Sequence, residues 1–294
     1  MAHLYGVILF VVKIKPGPMK RSLFFILVFF NSSMVFAQTV LKGVVIDTET
    51  NKPVPYVSIG IINKPEGSVS NAGGEFEITL DAKITDNDTL VFSSIGYQSK
   101  AFLVGDLERK FKEAPLQILL KKSVYELKQV VISSKHAHVK ILGYETTSKL
   151  LGLGFGTNSL GSQGGVRIPI KHPNTNIESL SFFIIQNPFE SLTFRVNIYE
   201  FNGGKPGNNI LNDNVIFKVG NKQAGKITVD LTNYNIYVNK DVLIALEWIG
   251  SKPATTGQLD VAAVLFGSTY VRQASQYLWV KKSAGLGFSV KANY

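Results

Sequence analysis

The side chains able to carry chemistry are few and widely spaced. The 294-residue chain has no cysteine, which excludes disulfides, cysteine-ligated zinc, iron–sulfur clusters, thiol nucleophiles and a cysteine-linked lipid anchor. His136 and His138 are two residues apart and would share one face of an extended strand, with His172 further on. A metal needs at least a third ligand, and neither HExxH nor HxxE occurs, so no metal is expected. Gly152-Leu-Gly154-Phe-Gly156 superficially resembles a phosphate-binding loop, yet Thr-Asn-Ser-Leu-Gly after it is a poor helix start, so no nucleotide cofactor is expected. Gly156-Thr-Asn-Ser159-Leu-Gly161 has one residue too many for a nucleophile elbow. Glu200 and Glu247 fall in strand-like segments, and as a facing pair they would suit glycoside hydrolysis. Asp47-Thr-Glu49 and Asp86-Asn-Asp88 are oxygen-rich but short of a calcium loop, and read as polar turns. No catalytic motif survives its context, and the chain is read as a non-enzyme with no catalytic residues and no cofactor.

Aromatic side chains are the remaining binding candidates. Tyr199, Tyr234, Tyr237, Trp248, Tyr270, Tyr277 and Trp279 crowd the last third, with the amides of Asn197, Asn202 and Asn235 among them. Flat rings beside amides suit a carbohydrate face, although most aromatics in a sandwich are core. Trp248 alternates with Val242, Ile244 and Leu246 and is expected to be buried. Tyr277 and Trp279 share a face of a short strand expected over 277–280 and are the expected ligand-binding residues.

The elements that must position these residues are strands. Period-two alternation marks Val40–Ile46, Tyr56–Ile62, Phe76–Leu80, Thr89–Phe92, Lys100–Val104, Leu116–Leu120 and Leu127–Ile132, with turn signals between them and a helical turn at Leu107–Glu113. Seven short strands predict a small sandwich over 39–133. Residues 134–144 read as a linker, and the glycine-rich run to 165 as an entry strand and loop. Strand patterns resume at 179–185, 192–198, 215–219, 226–231, 242–249, 259–266, 277–280 and 287–291, so 145–294 is expected to be a jelly-roll-like sandwich of about eight strands. The fold class is therefore all-β.

Leu41-Lys-Gly-Val-Val-Ile-Asp47, Asn51-Lys-Pro-Val-Pro55, Val57-Ser-Ile59, Ser70-Asn71-Ala-Gly-Gly74-Glu-Phe76 and Phe92-Ser-Ser-Ile-Gly-Tyr97 resemble the carboxypeptidase-regulatory-like domain. That resemblance implies a transthyretin-like sandwich of the kind common in exported Bacteroidota proteins, and Asn71 stands where the family often has Asp. Glu126–Ser133 is similar to the segment linking this domain to the plug of outer-membrane TonB-dependent receptors. The 161 residues after it are too few for plug and barrel, so the receptor association is analogy. Segments from Phe194–Glu200 to Ala245–Trp248 resemble the C-terminal half of uncharacterised exported proteins with the same first domain, which implies architecture and no activity.

Met19-Lys-Arg21, the apolar run Leu23–Phe30 and Met34-Val-Phe-Ala37 before Gln38 have the order of a secretory signal peptide, with cleavage between Ala37 and Gln38. Residues 1–18, ending in Pro16-Gly-Pro18, fit such a leader poorly, and translation is expected to start at Met19. Removing 1–37 takes away four basic residues and no acids, lowering the net charge from +10 to +6. No later apolar run approaches the ~20 residues of a membrane span. Residues 38–133 carry 11 basic and 12 acidic side chains and residues 134–294 carry 16 and 9, but the positive charges are scattered and nucleic acid is not an expected partner. The expectation is an exported binding or scaffolding protein of the periplasm, outer-membrane periphery or cell surface. Its partner is an envelope protein met through sandwich edges, or alternatively a glycan, with an unrecognised hydrolase as the third reading. Sequencing the N terminus of the protein from an envelope fraction should return Gln38 first, and the precursor should begin at Met19. A precursor beginning at Met1 would refute the start site, and an unprocessed chain in the cytosol would refute export.

Overall fold

The computed structural model describes residues 38–123, 138–156, 160–252 and 257–294. The expected leader up to Ala37, the segment Glu126–Ser133 with its expected strand, His136 and Ser159 lie outside them. Ala37–Tyr294 is one compact unit, nearly all β.

Its first part is a seven-strand sandwich: β1 (Thr39–Asp47), β2 (Ser58–Ile61), β3 (Gly67–Val69), β4 (Glu75–Leu80), β5 (Thr89–Ser93), β6 (Lys100–Leu103) and, after a short helix α1 (Val104–Phe111), β7 (Leu116–Leu120). Three strands form one sheet in the order β4-β1-β7, with β7 parallel to β1, and four form the other in the order β3-β2-β5-β6. Alternation decides which side chains go inward: Phe76, Ile78 and Leu80 of β4 and Leu116, Ile118 and Leu120 of β7 are buried, and their neighbours are exposed. Phe92 sits at the centre, edge-on to Phe76 at 5.2 Å and to Phe102 at 6.0 Å between ring centres. The short strand β3 was not anticipated. It consists of Gly67, Ser68 and Val69, too few residues to show a period.

The motif residues of this half build turns. Asn71 Oδ1 accepts the N–H groups of Gly73 (2.8 Å) and Glu75 (3.0 Å), while its amide nitrogen donates to Glu75 at 2.9 Å, so asparagine keeps the acceptor role an aspartate would have. Gly74 has φ +75, and a Cβ there would stand 2.9 Å from the Val45 carbonyl oxygen. Asp47 is buried at the end of β1 and accepts the Tyr97 hydroxyl at 3.0 Å.

The second part has thirteen strands: β8 (Val139–Gly143), β9 (Gly152–Gly156), β10 (Gln163–Ile168), β11 (Thr175–Gln186), β12 (Ser191–Asn202), β13 (Lys205–Asn209), β14 (Val215–Gly220), β15 (Gly225–Asp230), β16 (Ile236–Val238), β17 (Val242–Lys252), β18 (Gln258–Arg272), β19 (Val280–Leu286) and β20 (Ser289–Asn293). One layer is built on β12, β17 and β10, with β13 and β14 beyond β12. The other is built on β11, β20 and β8, with β15 and β16 also on β11. The 15-residue β18 joins them: residues 258–262 pair with β9 and the later ones with β19 and β10. Phe194, Val196, Ile198, Ile244, Leu246 and Trp248 point between the layers, against Leu180, Phe182, Phe288 and Val290.

About eight strands were expected here, and the difference lies in glycine and turn-like segments. Residues 139–143, within the expected linker, form β8 paired with β20. The glycine-rich run contains β9 and β10, whose Gly165 lies so near β17 that a Cβ would meet the Ile244 carbonyl oxygen at 2.5 Å. Those glycines permit close strand packing. Tyr277–Trp279, expected in a strand, is the loop between β18 and β19, and the strand starts at Val280.

Burial first, and the bond to Asp47 second, push the Tyr97 hydroxyl up to a pKa of about 12. The folded state therefore holds this proton more tightly than the unfolded chain, whose tyrosine titrates near ~10. The stabilisation is complete below about pH 10 and declines as pH rises towards about 12. Urea denaturation at stepped pH should show a steeper alkaline loss in the native chain than in Tyr97→Phe; identical slopes would contradict this.

Candidate functional site

The outward face of β12 and β17 carries the most unusual side chains of the molecule. With Phe194, Val196 and Ile198 turned into the core, Arg195, Asn197 and Tyr199 must point out. With Leu246 and Trp248 turned in, Glu247 must also point out. The strand register sets Arg195 directly opposite Glu247, and Gln163 of β10 lies on the other side of Glu247. None of this is at the surface: the first sandwich covers Arg195 and Glu247, and Trp279 and Arg272 pack over Tyr199. Arg195 is 2% and Glu247 1% exposed.

The covering is itself a bonded network. Arg195 Nε donates to Glu247 Oε2 at 3.0 Å, and Nη2 stands 2.9 Å from the same oxygen. The third guanidinium nitrogen, Nη1, donates to the Tyr56 carbonyl oxygen at 2.8 Å and to Asn214 Oδ1 at 3.2 Å. Ser58 of β2 receives a bond from Arg195 Nη2 and donates to Glu247 Oε1 at 2.8 Å. Asn197 donates to Glu247 at 2.7 Å and accepts from Asn209 at 2.9 Å. Small residues let the first sandwich approach: a Cβ on Gly60 would lie 1.9 Å from the Ser275 carbonyl oxygen, and one on Gly67 2.6 Å from the Ala274 side chain. A serine beside a carboxylate and a guanidinium could suggest catalysis. No histidine stands in this network, every charged atom is bonded, and the group is sealed from solvent, so the arrangement is a joint between two sandwiches.

The other candidates are dispersed. Glu200 lies opposite Val242, five residues along β12 from the partner of Glu247, and is exposed. The two carboxylates do not face each other and do not form the pair that glycoside hydrolysis requires. Gly152–Gly156 is strand β9, antiparallel to β18. Asp47 Oδ1 accepts the N–H groups of Glu49 (2.8 Å) and Thr50 (3.1 Å), which hold its carboxyl below the usual range. Asp88 is held down chiefly by Lys64, then by the Thr85 N–H. Both are polar turns. His172 stacks on Tyr294 at 4.0 Å with His138 at 6.0 Å from the same ring. Among the described residues no three His, Asp or Glu side chains gather as a metal site would require.

Trp248 is buried as expected. Trp279 is half-buried: it packs edge-on to Tyr199 at 5.4 Å, and the Arg272 guanidinium lies 4.8 Å from its ring centre. Arg272 also donates to the Tyr199 hydroxyl at 2.8 Å, and burial raises that hydroxyl's pKa. Tyr277 is half-buried in the same loop. The structure brings together a different set. Asn202, Tyr234, Asn235 and Tyr237 line one cleft of about 910 Å³ at the end of β12.

Two surface features were missed in the sequence. Strand β8 is an outermost strand whose Val139 and Ile141 are 59% and 50% exposed. Close to its end, Leu265 and Phe266 bulge from β18 and are 72% and 94% exposed. The adjoining Gly267 lies against the ring of Tyr144, the residue after β8.

The motif residues of the first sandwich now have defined structural roles, and residues 41–132 match the family model of the CarboxypepD_reg-like domain. Over this segment the chain is similar to the CarboxypepD_reg-like domain. No curated protein is similar to the chain. Two solved structures of infectious bursal disease virus, of the Gx and Gt strains, are similar to it at 12% identity with a TM-score of 0.32, covering 87% of this chain and 63% of theirs. The chain thus spans under two thirds of those viral chains, and the likeness is too slight to place it among them. No helix among the described residues is long and apolar enough to cross a membrane.

Removing one member of the Arg195–Glu247 pair strands the other charge in the joint. Arg195→Met or Glu247→Leu should each cost about 3–5 kcal/mol in urea denaturation. The double variant should cost clearly less than the sum of the two. Additive losses would show that the pair is not coupled.

Proposed function

We propose that the mature chain is a non-catalytic binding or scaffolding module of the cell envelope. It captures an extended segment of a partner envelope protein along the open edge of β8. The leader directs it out of the cytosol, and the CarboxypepD_reg-like domain is joined to the sandwich that presents this edge.

The observation that carries this reading is the outer edge of β8. The N–H groups of His138 and Tyr144 donate to the carbonyls of Tyr294 (3.0 Å) and Phe288 (2.8 Å). Antiparallel pairing alternates, so the N–H and C=O groups of Val139, Ile141 and Gly143 point away from β20. Among the described residues no strand pairs with them. Exposed strand edges accept partner strands, and the usual safeguards are proline, lysine or other charges, bulges, a very short strand or a covering element. Here the edge offers Val139 and Ile141, with Lys140 between them, and the Leu265–Phe266 bulge supplies an apolar anchor near its end.

Ile141→Pro tests the reading because it removes an outward donor and leaves the bonds to β20 intact. A photo-crosslinker at position 139 should trap a defined envelope protein in cells. The adduct should be lost in the Ile141→Pro background while the purified variant unfolds at nearly the native urea midpoint. No adduct, or an adduct that persists in Ile141→Pro, would refute strand addition at this edge.

A further inference from the structure

We propose that the cleft at the end of β12 is a binding site for a short neutral oligosaccharide. This inference goes beyond the strand-capture reading and stands or falls separately from it.

The cleft lies between the end of β12, the 210–213 loop, the 3₁₀ turn Thr232–Tyr234 and β16. Its volume, about 910 Å³, is at the upper end of the ~300–1,000 Å³ of small-molecule sites, with room for more than one sugar ring. Buried Leu211, Ile236 and Val238 form its apolar base. Around that base stand the amides of Asn202, Asn212, Asn233 and Asn235 and the half-buried rings of Tyr234 and Tyr237. An amide offers a donor pair and an acceptor from one rigid group, which matches vicinal hydroxyls, while a tyrosine ring offers an apolar face to sugar C–H groups.

Two further observations decide the ligand class. Asn235 has φ +48, a conformation asparagine tolerates, so turn geometry accounts for it. Asn202, Asn212 and Asn233 are not in the left-handed region, and all three are exposed at the rim. Backbone handedness does not explain them. The charge balance argues against an anionic ligand: Glu200, Asp213 and Asp241 line the cleft against one lysine, Lys240. Asp241 is already committed to Arg167 and to the Ile170 N–H. The site therefore presents hydroxyl acceptors and amides with little positive charge, the arrangement for an uncharged polyhydroxylated chain.

The mature protein would be titrated calorimetrically with cello-, xylo-, manno- and chito-tetraose, and with a heparin-derived tetrasaccharide as the anionic comparator. At least one neutral tetraose should bind, and more tightly than the comparator. Asn233→Ala and Tyr237→Ala should each weaken it tenfold or more, with the far-ultraviolet spectrum and urea midpoint near native. Ile141→Pro, on the β8 edge, should bind it unchanged. Should either cleft variant fail to fold, Asn202→Ala and Asn212→Ala, both at exposed positions, take its place. Absence of binding to all four neutral tetraoses at millimolar concentration, preference for the heparin fragment, or binding indifferent to the cleft variants would overturn the proposal.

Discussion

Two strands of the second sandwich, β12 and β17, are covered on both faces, and that constraint shapes the rest. A strand buried on one face alternates apolar and polar residues. A strand buried on both must satisfy every outward polar group without water. Here the outward groups include a guanidinium and a carboxylate. The Arg195–Glu247 pair persists in a dry setting because Ser58, the Tyr56 carbonyl, Asn197 and Asn214 occupy the remaining donors and acceptors. Such a pair gives little net stability compared with an apolar replacement. Its effect is directional: one placement of the first sandwich satisfies the whole set, and a shifted placement leaves buried charge unbonded.

This joint makes the two halves one body. The small residues Gly60 and Gly67 let the sheet of β2 and β3 reach the 272–276 loop, and the hydrogen bonds then set the angle. A protein built this way holds its exposed features at set separations. The β8 edge, the Leu265–Phe266 bulge and the amide-rich cleft all belong to the second sandwich, and the first is locked against it as a platform. That rigidity would serve the proposed binding role by fixing these features relative to one another.

Much of the architecture was legible in the chain. Alternation in Phe76–Leu80 and Leu116–Leu120 marked strands because each has one wet face. Trp248 was placed in the core by its spacing from Val242, Ile244 and Leu246. The turn motifs pointed to the first domain because Asn71, Gly74 and Tyr97 act through local geometry, which spacing records. The joint was not legible, since the contact between Ser58 and Arg195 spans 137 residues and depends on how two sheets meet. Its one local trace is a lone charge in each of two strongly apolar strands, Phe194–Ile198 and Val242–Trp248. The glycine-rich run pointed to an entry strand and loop, and it holds two strands, β9 and β10, with Gly165 packed too closely against β17 for a side chain. Trp279 is in part packed against Tyr199 and Arg272, a contact that spacing does not record, and the amide-rich cleft lies elsewhere.

The most direct test is the distance between the halves. Spin labels placed on Glu77→Cys in the first sandwich and Lys240→Cys in the second, in a chain with no native cysteine, would report it by pulsed electron resonance. The joint predicts one narrow distance distribution that broadens when Arg195→Met is added. A broad distribution in the otherwise native chain would show two independently tumbling sandwiches and contradict the account.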